Sequence, residues 1–80
     1  MRVLIIEDSK RLQTYLCKGL RQHGYAVDAA SDGEEGLYLA ETGDYDVVVL
    51  DLMLPKLDGL TLLKKLRART CQTNVLILTA

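Results

Sequence analysis

Four short apolar runs partition this chain: Val3-Leu4-Ile5-Ile6, Ala26 to Ala30, Val47-Val48-Val49-Leu50 and Val75-Leu76-Ile77-Leu78. The first, third and fourth are continuous rather than alternating, as expected of strands buried on both faces in a parallel sheet. Segments of helical periodicity lie between them. Leu12, Tyr15, Leu16 and Leu20 fall at i, i+3, i+4 and i+8, one face of an amphipathic helix. Ser9 suits its N-cap and Gly24 its C-terminal stop. Ser31-Asp32-Gly33-Glu34 has capping-box spacing and opens a helix through Leu37, Leu39 and Ala40. Gly43-Asp44 is the next break, and Asp46 to Asp51 the strongest strand. Leu54 to Gly59 reads as a loop, because Pro55 restrains its predecessor and lacks a donor. Leu60, Leu63, Leu66 and Arg67 carry a third helix. The order βαβαβαβ means crossover units, hence an α/β fold with a doubly wound parallel sheet.

At 80 residues the chain is one domain at most. Hydrophobic residues make up 49%, enough for a core, but with no Phe or Trp that core must be aliphatic. A net charge of −1 argues against a large nucleic-acid footprint, which demands clustered Lys and Arg. No apolar run approaches the roughly 20 residues that span a bilayer. The opening run stops at Glu7-Asp8, too early for a signal-peptide core. The expected location is therefore cytoplasmic. Cys17 and Cys71 lack metal-ligand spacing and read as free thiols. His23, near a helix end, reads as a surface or capping residue.

Ligands of such sheets bind beyond the carboxyl ends of the strands, where strand order reverses. Strand one ends in Glu7-Asp8, strand three in Asp51 and strand four in Thr79-Ala80. Singly, such acids are usually solvated or cap a helix; Asp8 alone would favour a helix N-terminus. Three together repel one another and raise pKa values unless a cation intervenes. An all-oxygen donor set points to Mg²⁺.

Glu7-Asp8, Asp51 closing an apolar strand, then Met53, Pro55, Asp58-Gly59 and Thr79-Ala80, resemble the receiver domain of bacterial two-component response regulators. The segment Asp51-Leu52-Met53-Leu54-Pro55-Lys56-Leu57-Asp58-Gly59 is similar to the OmpR-type winged-helix transcription-factor subfamily. The resemblance implies a flavodoxin-like, CheY-like fold. It implies Asp51 as phosphoacceptor for a sensor histidine kinase. It implies Mg²⁺ held by Asp8 and Asp51, by Glu7 largely through water, and by the main-chain carbonyl of Met53. Thr79 would contact the phosphoryl group.

The family pattern continues with a fifth strand ending in Lys, an aromatic on that strand, and two more helices. Residues 1–80 correspond to the portion before them. No Lys here matches that position: Lys56 sits in the loop, and Lys10, Lys18, Lys64 and Lys65 lie on expected helices. DNA binding would belong to a further domain of an intact protein, with transcriptional control as its output. An exposed fourth strand would template self-association. The resemblance implies a signalling phosphoacceptor rather than an enzyme. An aspartyl-phosphate phosphatase would carry an acid two places after the nucleophile, where Met53 stands. A dinucleotide domain would carry G-x-G-x-x-G after strand one, where Ser9-Lys10-Arg11 stands.

Overall fold

The computed structural model describes residues 1–52, 54, 58–69 and 73–78. Its elements are β1 (Arg2–Ile6), α1 (Lys10–Gln22), β2 (Ala26–Ala30), α2 (Gly33–Thr42), β3 (Val47–Asp51), α3 (Gly59–Arg69) and β4 (Asn74–Leu78). The strands form one parallel sheet in the order β2-β1-β3-β4. From β1 the chain moves outward to β2, then crosses back to β3 on the other side. The order therefore reverses between β1 and β3, the expected doubly wound arrangement.

Side-chain alternation splits the core into two layers. Leu4 and Ile6 of β1 pack with Leu37 and Ala40 of α2 and with Leu62 and Leu66 of α3. Val3 and Ile5 pack with Cys17, Leu16 and Leu20 of α1 on the other face. Residues 3 to 6 are almost wholly buried, as their continuous apolar run requires. Each such aliphatic side chain contributes about 1.5–3 kcal/mol through removal from water. Cys17 is a buried free thiol.

The helix ends follow local chemistry. Ser9 Oγ accepts the Leu12 N–H at 3.3 Å. At the far end of α1, the Gly24 N–H donates to Arg21 and the Tyr25 N–H to Leu20. This is a Schellman motif, and Gly24 supplies its left-handed residue at φ 89°. His23 is the C-cap, its Nδ1 3.0 Å from the Gly19 carbonyl oxygen.

Four readings of the sequence need correction. The buried stripe of α1 includes Gln13 and Cys17, whereas Leu12 and Tyr15 are exposed, Tyr15 at 72%. Leu16 and Leu20 do pack inward, whereas Leu12 and Tyr15 do not. In α3 the buried pair is Leu62 and Leu66, and Leu60 is exposed. The α2 cap is Asp32, one residue later than expected: its Oδ1 accepts the Glu35 N–H at 2.8 Å, and Glu35 Oε1 accepts the Ser31 N–H at 2.9 Å. Finally, β4 is not buried. Among the described residues it pairs only with β3, and Leu76 and Ile77 are 58% and 41% exposed. An apolar run is buried only where both layers cover it.

At the amino end of the sheet, Arg2 ties three strands together. Its N–H donates to Asp46 at 2.8 Å, and its guanidinium pairs with Asp28 at 3.1 Å while lying over the Tyr45 ring. The Tyr45 hydroxyl donates to the same Asp28 oxygen at 2.7 Å and, with Arg2, holds the Asp28 carboxyl below its ordinary pKa.

Gly36 lets α2 lie close against β1. A Cβ there would fall 2.7–2.9 Å from three side-chain atoms of Ile6. Ile6 is fully buried and β-branched, so it has little freedom to move aside. Gly36→Ala should therefore cost about 1–3 kcal/mol by overpacking. That outweighs the roughly 1 kcal/mol gain in helix propensity. A urea melt followed by circular dichroism measures the balance; an unchanged or raised midpoint would show that Ile6 finds room.

Candidate metal centre

Parallel strands bring their carboxyl ends to one edge, so the acids that close β1 and β3 become neighbours. Ile6 is paired with Leu50, the last residues before Glu7-Asp8 and Asp51. One carboxylate oxygen from each of Glu7, Asp8 and Asp51 lies within 4.8 Å of the others. The group sits at the β1/β3 switch point.

The three acids differ in setting. Glu7 is buried, Asp51 half-buried and Asp8 exposed. Glu7 Oε2 accepts the Ser9 N–H at 3.0 Å. Burial pushes the Glu7 carboxyl above its ordinary pKa, and Asp8 and Asp51 push it further; the Ser9 N–H opposes them. The charged groups acting on Glu7 are thus both acids. Such a cluster suits a hard divalent cation, which would replace mutual repulsion with shared attraction. Oxygen donors of mixed exposure suit Mg²⁺, which takes one or two carboxylates and keeps several waters.

Asp58, at the start of α3, has a different task. Its Oδ1 accepts the Thr61 N–H and its Oδ2 the Thr61 hydroxyl, both at 3.0 Å. These bonds lower its pKa and make it a helix cap. Met53 and Thr79, the other expected site residues, lie outside the described residues, as do Pro55, Lys56, Cys71 and Ala80.

Sequence reading missed Gln13. Its side-chain Nε2 donates to the carbonyls of Glu7 at 3.0 Å and Ala30 at 3.1 Å, with Ser31 Oγ at 3.4 Å. The only advance signal was a polar residue four positions before Cys17, on a helix flanked by apolar side chains.

Comparison with known proteins follows the same lines. The family model "Response regulator receiver domain" matches residues 3–80. The chain is 49% identical over all 80 residues to the transcriptional regulatory protein HprR of Escherichia coli, covering 35% of it. It is 50% identical to the transcriptional activator protein IrlR of Burkholderia pseudomallei, covering 34%. The chain thus spans about a third of the length of these relatives. Among solved structures, the Francisella response regulator 1452 receiver domain superposes with TM-score 0.94 at 40% identity, over 99% of this chain and 65% of that one. Response regulator TrrA of Thermotoga maritima, in complex with Mg²⁺-BeF, gives TM-score 0.93 at 33% identity, over 99% and 69%. TrrA in complex with histidine kinase ThkA gives 0.91 at 33%, over 99% and 68%. With its fold, its acidic strand ends and its sequence in agreement, the chain belongs to the response-regulator receiver domain family.

Proposed function

We propose that this chain is the N-terminal portion of a receiver domain that accepts a phosphoryl group on Asp51 from a sensor histidine kinase. The observation that carries the reading is the convergence of Asp51 with Glu7 and Asp8 at the β1/β3 switch point. An Asp51 oxygen attacks phosphorus, the O–P bond forms, and the P–N bond of the phosphohistidine breaks. The electron pair returns to the imidazole, which takes a proton from solvent. Asp8, Asp51 and Glu7 would hold Mg²⁺ at this edge, with Met53 and Thr79 in the roles that the family resemblance implies. The chemistry that Mg²⁺ would supply there is neutralisation of charge on the transferring oxygens. The kinase complex of the neighbour TrrA supports the partner. The transcriptional relatives support a DNA-binding output carried by a further domain of a longer protein. No helix among the described residues is long and apolar enough to cross a membrane. We place the domain in the cytoplasm, beside the kinase and the DNA. Autodephosphorylation belongs to the intact domain.

Intact-mass spectrometry tests the reading after incubation with Mg²⁺ and a small phosphodonor. A single, Mg²⁺-dependent phosphoryl adduct is expected. A folded chain that takes up none would restrict phosphoacceptor function to a longer protein.

The 80-residue chain should also self-associate through β4. Exposed Leu76 and Ile77 flank its outer edge, which no strand among the described residues pairs. Size-exclusion chromatography with light scattering should give a dimer or larger species. A compact monomer at high concentration would reject this.

A further inference from the structure

We infer that Gln13 is a positioning residue for the acidic site, its carboxamide fixing the strand ends from which Glu7 and Asp8 reach a divalent cation. The inference rests on the metal-site reading of Glu7, Asp8 and Asp51. Gln13 is more than nine-tenths buried, although it is a polar side chain on a helix. Nothing local to α1 calls for an amide there. Its acceptors are the carbonyls of Glu7 and Ala30, where the β1 and β2 strands have just ended. The Ala30 carbonyl also takes the Glu7 N–H at 3.0 Å. Gln13 thus extends the β1–β2 pairing one step past the last regular residue, bridging two carbonyls that would otherwise be buried with fewer donors.

The consequence falls on the acids. Glu7 is held at its N–H by Ala30, at its carbonyl by Gln13 and at its carboxylate by Ser9. Asp8 follows directly and is exposed, so its position depends on the peptide that Gln13 anchors. Without the amide, that peptide is free to rotate and the Asp8 carboxylate to leave the cluster. Outer-shell groups that orient ligands in this way are worth about 10–100-fold in metal affinity.

The test is a Mg²⁺ titration of the 80-residue chain, followed through the backbone amide resonances of Asp8 and Asp51. Gln13→Met keeps length and removes the donors. Val27→Ala is the stability control, a buried residue in the α1-side layer with Val3, Ile5 and Cys17. Gln13→Met should raise the Mg²⁺ dissociation constant about tenfold or more. Val27→Ala should leave the constant within about twofold, the scale of an effect spread over the fold. Equal constants for Gln13→Met and wild type would overturn the inference and leave the metal site standing. A wild-type chain that binds no Mg²⁺ would overturn both. Wild type supplies a second readout that does not depend on a variant folding. Its Gln13 carboxamide resonances should shift on Mg²⁺ saturation, and unmoved resonances would reduce Gln13 to a packing role.

Discussion

Asp51→Asn should abolish the phosphoryl adduct and, without metal, raise the melting temperature of the chain. Asn has nearly the same shape, so β3 and its pairing with β1 should survive. The chemistry should not. A neutral carboxamide is a poor nucleophile toward phosphorus and a weaker ligand for a hard cation. The stability gain has a separate origin. Asp51 is one of two acids that push the Glu7 carboxyl upward, so its charge disfavours the ionised form of a buried group. Removing one negative charge relieves that repulsion. In a domain of this size each 1 kcal/mol gained moves the midpoint by about 4–8 °C. Intact mass and a thermal melt in chelator read the two effects on one sample. An adduct that persists in the variant would move the acceptor elsewhere, with Asp8 the first alternative. A lowered melting temperature would mean that Asp51 makes more bonds than it suffers repulsion.

The acidic centre was legible in the sequence for a simple topological reason. A parallel sheet puts every strand's carboxyl end on one edge, so Glu7-Asp8 and Asp51 had to share it once β1 and β3 were strands. Their direct adjacency followed from strand order. Helix faces were less legible, because periodicity ranks residues by hydrophobicity alone. Leu12 and Tyr15 outrank Gln13 on that scale, yet Gln13 is buried and Tyr15 exposed. What buries Gln13 is the pair of carbonyls at the ends of β1 and β2, and these become neighbours only in the folded sheet. The same logic governs β4: its run is as apolar as β1, but burial depends on the layers that cover it. At α2 the capping-box spacing pointed to Ser31, but the Asp32 carboxylate is the group that meets the Glu35 N–H.

Mg²⁺ should reverse the pH dependence of the chain's stability. Burial raises the Glu7 pKa above its ordinary 4.5, so between that value and the folded one the native state binds more protons than the unfolded state. Stability in chelator should therefore fall as pH rises from about 4.5 through the folded pKa. Asp28 and Asp58 act in a different window. Their pKa values are lowered from 3.8, by the Tyr45 hydroxyl and by Thr61 respectively, so they withdraw stability only as pH falls below that value. Through these three groups the metal-free chain should lose stability as pH falls below 3.8 and as it rises above 4.5. Cation binding requires Glu7 and its neighbours to be ionised, so Mg²⁺ affinity should climb across the window in which the metal-free chain weakens. At about 100 times the dissociation constant, Mg²⁺ adds about 2.7 kcal/mol. For this size of domain that corresponds to roughly 10–20 °C. Thermal melts at pH 5 and pH 7.5, with Mg²⁺ and with chelator, measure all four corners. Glu7→Gln should flatten the chelator series by removing the titrating group. Equal Mg²⁺ shifts at both pH values would mean that the buried carboxyl is not linked to the metal, and that Asp8 and Asp51 hold it without Glu7.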